Sequence, residues 1–266
     1  MQKLLGNKKA IFLFIFPAFL LFTVIVIVPI FFSAYYSMLD WDGIAQGTFV
    51  GFKNFMRLFQ NNADGFPKAV ANSFILAILS VCIQLPIALT LALVLARGIK
   101  GEKIFRTVFF VPVIISTVVI GQLWIKIYNP DYGLLNTVLR GIGLEAMAGR
   151  WLAGTEQALG CVFVVIVWQY IGYHMLIMYA SAKSISPEIY ESALIDGANE
   201  LTIATRISIP LMLPIIRVCV IFAVIGSFKS FDLIYVMTGG GPLHSTEVPT
   251  ILMYSTIFYK YKYGYG

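Results

Sequence analysis

"YESALIDGANELTIATRISIP", residues 190–210, carries three acids, one arginine and one glycine between two runs apolar enough to cross a membrane. Read locally, Ser186 can cap a helix whose first position is Pro187, and Glu188 and Glu191 place negative charge in the opening turns, where it suits the helix dipole. Gly197, with a φ inferred to be positive, can end that helix, and Asn199 or Thr202 can start a second one running to Pro210. The stretch predicts helix, glycine turn, helix. Its apolar residues, Ile189, Ala193, Leu194, Leu201, Ile203 and Ile207, are too many for a solvated linker and too interrupted by charge for a span. It is either a surface that docks a partner or an amphipathic helix lying on the inner leaflet. Three acids and one arginine make poor contact with anionic lipid, which favours the partner.

The surroundings are those of an integral membrane protein. Hydrophobic residues make up 59% of the 266 and charged residues 12%, and the mean hydropathy of the whole chain is +0.85, more than one anchor on a soluble domain would produce. Five apolar segments, approximately 10–38, 69–97, 104–128, 157–182 and 211–237, are each long enough to span the hydrocarbon as helices. The first follows Lys3, Lys8 and Lys9 as a signal peptide would, but it is too long and no small-residue cleavage site closes it. Pro17, Pro29, Pro86 and Pro112 fall inside spans and predict kinks, since neighbouring helices can satisfy freed carbonyls.

Lysine and arginine set the orientation. They cluster at the N-terminus and in the short second connection (Arg97, Lys100, Lys103, Arg106), so the N-terminus is read as cytoplasmic. Residues 39–68 and 129–156 are then outside and 183–210 return to the cytoplasm. The terminal apolar stretch 248–258 is too short to cross, which leaves a re-entrant or surface segment, or a further span beyond it. The net charge of +6 is scattered between apolar runs, without the basic block or aromatic platform of a nucleic-acid binder. Cys82, Cys161 and Cys219 each sit in an apolar run without metal-ligand or disulfide spacing and are read as small core residues.

The order Glu191-Ser192-Ala193, three residues, Gly197, nine residues, Ile207-Ser208-Ile209-Pro210 resembles the EAA signature of permeases in binding-protein-dependent ABC importers, with Ser192 and Ile209 as conservative departures. "FVGFKNFMRLF" (49–59) and "SFKSFDLIYVMTGGGP" (227–242) are similar to the carbohydrate-uptake subclass, and "TGGGPLHSTEVPTILMY" to its maltose-type first permease. The resemblance covers essentially the whole chain. It implies an all-α type I importer bundle in the cytoplasmic (inner) membrane, with a sixth span beyond residue 266. Residues 183–210 would be the coupling loop docked on the ATPase, through Glu191, Ser192, Ala193, Asp196, Gly197, Ile207 and Pro210. The implied partners are a second permease, a cytoplasmic ATPase dimer that uses ATP and Mg, an extracytoplasmic solute-binding protein and an oligosaccharide or related polyol substrate, with membrane lipid around the bundle. Another solute, such as an amino acid or phosphate ester, fits the same loop. A secondary transporter would need neither loop nor ATPase, and no inverted repeat stands out to favour it.

This chain contains no G-x-x-x-x-G-K-[ST] phosphate loop and no Ser/His/Asp or paired-carboxylate set, so neither ATP hydrolysis nor a bound cofactor is expected of it. "GGG" at 239–241 reads as a turn, and His174 and His244 lack metal-ligand partners at helical spacing. A sugar crossing the bundle needs hydrogen-bonding groups and flat apolar faces. Gln169 and Tyr173 share one helical face, with Tyr170 and His174 on the adjoining one; Ser227, Phe231 and Ile234 form a second stripe, with Ser230 beside it. Each group reads equally as packing or interfacial belt. Lys229 and Asp232, three residues apart, either pair or snorkel outward from the span end.

Overall fold

A computed structural model of the chain describes residues 8–60 and 65–266, with backbone alone for 8–10. The charge of Lys3 lies outside the described residues, as do the side chains of Lys8 and Lys9. The chain divides into two compact units, Gly65–Leu252 and a second that joins Met1–Asp64 to Met253–Gly266.

In the second unit, α1 (Lys8–Phe22) passes through a wide π-helical turn (Thr23–Ile27) into α2 (Val28–Tyr36). The apolar helix Ile11–Tyr36 buries none of its side chains; Phe14, for example, is 77% exposed, as a lipid-facing surface requires. A short antiparallel hairpin follows, β1 (Leu39–Asp40) on β2 (Thr48–Phe49), with Leu39 opposite Phe49. The Asp42 carboxylate accepts the Ile44 and Ala45 amides across its turn, and these bonds hold its pKa below the usual value. Asn54, in α3 (Lys53–Gln60), donates to the carbonyls of Ser37 and Leu39.

The larger unit is a helical bundle. α4 (Phe66–Leu79), a π turn (Ser80–Gln84) and α5 (Leu85–Ala96) make one continuous helix. α6 (Glu102–Ile114) and α7 (Thr117–Ile127) are followed by the short α8 (Leu134–Gly141) and the long α9 (Ala158–Lys183). α10 (Pro187–Ile195) and α11 (Glu200–Ile203) lead through a third π turn (Ala204–Ser208) into α12 (Ile209–Phe228). α13 (Asp232–Thr238) comes next, ended by left-handed Gly239 and Gly240, and α14 (Pro249–Phe258) runs across the unit boundary.

Four of these apolar helices, Ile11–Tyr36, Phe66–Ala96, Ala158–Lys183 and Glu200–Phe228, are long enough to cross a membrane. The expected third span is two helices, α6 and α7, meeting at a 96° bend. Pro112 removes an amide from the ladder, Ile114 and Ile115 are β-branched, and Ser116 favours an N-cap, so the helix stops where hydropathy continues. The fifth span ends at Phe228, and the stretch expected to carry it to 237 is the separate helix α13. Lys229 and Ser230 lie in that break, where the Ser230 carbonyl accepts the Thr250 hydroxyl at 2.5 Å.

The prolines act in two ways. Pro17, Pro112 and Pro214 lie inside α-helices, whereas Pro29, Pro86 and Pro210 each stand two residues after a π turn. A proline lacks the amide of its turn and its ring meets the carbonyl four residues back; widening the preceding turn relieves both.

The bundle has two core clusters. Toward the Glu191 loop, Ala88 and Ala92 of α5 are buried with Met175 and Met178 of α9 and Met212 and Cys219 of α12, small residues letting helices approach. Toward the other end, Leu76, Val162, Val165, Ile234 and Met237 form the second cluster. There Asn72 donates to the carbonyls of Ser245 and Glu247, which fixes the segment after α13. Cys161 and Cys219 are buried as expected of core residues, but Cys82 is exposed, because its position in the π turn faces out of the bundle.

Candidate functional site

The loop between α9 and α12 folds as its sequence dictates. Pro187 opens α10, with Glu188 in the first turn. Ser186 holds the N-cap position in extended backbone, but its hydroxyl makes no capping bond, so that part of the expected cap is absent. The helix closes where Gly197 takes φ +80°, with the Gly197 amide on the Leu194 carbonyl and the Ala198 amide on the Ala193 carbonyl. Asn199 caps α11, its side-chain oxygen accepting the Thr202 amide at 2.8 Å. Large apolar side chains stay uncovered on this surface: Ile195 is 86% exposed and Leu201 72%.

Of the residues expected to couple the loop to an ATPase, Ser192, Ala193, Asp196 and Ile207 line one open hollow of about 440 Å³, together with Glu188 and Ile189. Glu191 lines a separate cavity with Arg97, Lys183, Tyr190 and Glu200. Gly197 shapes the turn between the two helices and Pro210 lies in the first turn of α12; neither lines the hollow. The lysine- and arginine-rich second connection lies at the same end of the bundle, since Arg97 pairs with Glu200 and Lys183 with Glu102.

Within the bundle a cavity of about 410 Å³ opens between α4, α7, α9, α12 and α13. Tyr170, Tyr173, Ser227, Ser230, Phe231 and Asp232 all line it. Gln169 does not: it is 1% exposed, and its amide donates to the Thr117 hydroxyl at 3.2 Å, so it reaches the cavity through Thr117. The face of α9 turned to the cavity is therefore that of Tyr170, Tyr173 and His174, rather than one shared by Gln169 and Tyr173. The expected stripe of Ser227, Phe231 and Ile234 is cut by the break after Phe228; Ile234 is fully buried in the core, while Ser227 and Phe231 keep the cavity. Lys229 and Asp232 line the cavity as exposed residues on either side of the break between α12 and α13, and among the described residues no ion pair joins them.

Three polar residues of the wall escaped the sequence reading: Ser80 and Gln84, both buried in the π turn of the second span, and Thr117, just past the 96° bend. The Ser227 hydroxyl donates to the Ala223 carbonyl at 2.8 Å and lies 3.5 Å from that of Ser80. A serine and a glutamine four apart in an apolar span, just ahead of a proline, were the available signal. The His174 Nδ1 and the Gln169 carbonyl oxygen are buried without hydrogen-bond partners within the protein. Of these two residues only His174 lines the cavity, where polar groups can take the hydroxyls of a ligand while the rings of Tyr170, Tyr173 and Phe231 meet its flat apolar faces.

A family model described as "Binding-protein-dependent transport system inner membrane component" matches residues 84–263. A probable ABC transporter permease protein, YurN of Bacillus subtilis, is 37% identical over 98% of this chain and 89% of its own. The diacetylchitobiose uptake system permease protein NgcF of Streptomyces coelicolor is 31% identical over 100% of this chain and 78% of its own. A chain in the crystal structure of a bacterial alginate ABC transporter, in complex with an alginate pentasaccharide-bound periplasmic protein, superposes with a TM-score of 0.83 over 97% of this chain and 86% of that one, at 24% identity, and so shares the fold. With a match over most of its length and relatives aligned almost end to end, the chain belongs to the family of binding-protein-dependent transport system inner membrane components.

Proposed function

We propose that this multi-pass membrane chain is the permease subunit of an ATP-driven importer that moves an oligosaccharide, or a related sugar or polyol compound, into the cytoplasm. The observation that carries the reading is the cavity: at about 410 Å³ it falls within the roughly 300–1,000 Å³ of small-molecule sites. Its wall combines Tyr170, Tyr173 and Phe231 with Ser80, Gln84, Thr117, Ser227 and Ser230, which suits a ligand of hydroxyls and flat apolar faces. The diacetylchitobiose permease among its relatives supports a sugar. A second permease encloses the path, an extracytoplasmic binding protein delivers the substrate, and a cytoplasmic ATPase dimer holds ATP and Mg, so this chain binds no cofactor and catalyses no reaction. Docking of the 183–210 loop on that ATPase shifts the bundle between outward- and inward-open states, and differential contact energy at the loop drives the change.

Uptake by the reconstituted complex tests the cavity. Tyr173→Ala and Ser227→Ala each remove a hydrogen-bonding group and are expected to raise KM or lower the rate about 5- to 150-fold, as a lost buried bond of about 1–3 kcal/mol implies. Unchanged uptake in both variants, with normal assembly, moves the path elsewhere.

The lysines and arginines of the second connection support an orientation with the Glu191 loop in the cytoplasm. On a background lacking Cys82, Cys161 and Cys219, a single cysteine at Asn199 is expected to resist a membrane-impermeant thiol reagent in intact cells and to react after permeabilisation. Reaction from outside reverses the topology.

A further inference from the structure

The loop leaves the bundle at the end of α9, and α11 within it opens the continuous helix Glu200–Phe228 that re-enters the bundle; both of these points are held by one short connection, residues 97–102. At the entry, Glu102 accepts the Tyr179 hydroxyl and pairs with Lys183 at 3.5 Å, while Arg106 donates to the same tyrosine at 3.3 Å. At the exit, Arg97 pairs with the Glu200 carboxylate and also donates to the Glu200 backbone carbonyl at 3.1 Å. Between Arg97 and Glu102 the chain reverses tightly at two left-handed glycines, Gly98 (φ +78°) and Gly101 (φ +84°), with α5 ending on one side and α6 beginning on the other.

This arrangement solves a mechanical problem that the cavity poses. Its walls on α9 and α12 continue covalently into the loop, so movement of the loop reaches Tyr170, Tyr173 and Ser227 directly. Ser80, Gln84 and Thr117 belong to the second span and the bent α6–α7 pair, which the loop does not touch in sequence. The connection that grips both ends of the loop is the one that joins those two segments.

We propose that residues 97–102 form a relay that transmits displacement of the docking loop to the second span and to α6, with Arg97 and Glu102 as its positioning residues. The lysine and arginine content of this connection then serves mechanics as well as topology. The proposal rests on the reading of residues 183–210 as the docking surface. The Arg97–Glu200 pair is 40% and 69% exposed; such pairs contribute little to stability, so changing them tests transmission rather than folding.

The test uses the complete reconstituted importer and reads substrate imported per ATP hydrolysed, together with the melting temperature. Arg97→Glu and Glu200→Arg are each expected to lower that ratio by about tenfold while melting as the wild type does, and the double exchange Arg97→Glu/Glu200→Arg to restore most of it. Single variants that transport with the wild-type ratio, or a double variant no better than either single one, overturn the relay. If the wild-type chain binds no ATPase, the docking reading fails and the relay with it. If the wild type couples and all three variants couple equally well, the relay alone fails.

Discussion

Gly197→Val is expected to yield a chain that reaches the membrane with its helices intact but binds its ATPase weakly, or lets it hydrolyse ATP without transport. Beyond its own chain neighbours, no atom lies within 4 Å of where a Cβ would stand, so collision with the rest of the fold is not the cause. The cause is the backbone: at φ +80° a β-branched residue is an outlier, and strain of about 1–3 kcal/mol is enough to turn the chain out of that conformation. The hollow holds Ser192, Ala193 and Asp196 from one side of the turn and Ile207 from the other, so a changed turn separates them. Gly197→Asn separates backbone strain from side-chain bulk, because asparagine tolerates the left-handed region. It should retain most coupling. Co-purification of the ATPase, substrate-stimulated hydrolysis and uptake are the measurements, and wild-type values for Gly197→Val in all three remove the loop from the mechanism.

The second large effect is on the bundle itself. A Cβ on Gly172 in α9 would collide with the Phe109 carbonyl of α6 and stand 3.0 Å from the Phe110 Cα. These are backbone atoms of a packed helix, which cannot swing aside as a side-chain tip can. Gly172→Ala must therefore push α9 and α6 apart, an overpacking cost of about 1–3 kcal/mol, and a leucine should do more. Gly160 in the same helix has open space around it, so Gly160→Ala should be neutral or stabilising by up to about 1 kcal/mol through helix propensity. Thermal unfolding of the detergent-solubilised protein compares the two. Equal melting of Gly172→Ala and the wild type would falsify the close approach.

What the sequence made legible was local. Pro187, Glu188, Gly197 and Asn199 declare the starts and stops of the loop helices, because caps and left-handed turns depend on the nearest few residues. The breaks in the third and fifth spans were hidden, since hydropathy reports composition and runs on through Ile114 and Ile115 although the backbone turns there. The cavity was half legible for a related reason. Tyr170, Tyr173 and Ser227 carry chemistry that suggests a ligand, but α9 is apolar nearly all round, so its sequence does not say which face meets the bundle interior; Gln169 falls behind the wall and Tyr170 on it. Ser80, Gln84 and Thr117 acquire meaning only when three segments distant in sequence converge.

The wide turns ahead of Pro29, Pro86 and Pro210 change how this chain must be projected. Each acts as a one-residue insertion within an otherwise regular spiral, and one residue corresponds to about 100° of rotation. A helical wheel drawn from Phe66 to Ala96 as a single α-helix therefore assigns every position beyond Gln84 to the wrong side by about that angle. Ala88 and Ala92, which pack inward, are out of phase with Ser73 and Leu76 on such a drawing although all four are buried. A turn that accommodates a proline thus also sets the register between the two halves of the span.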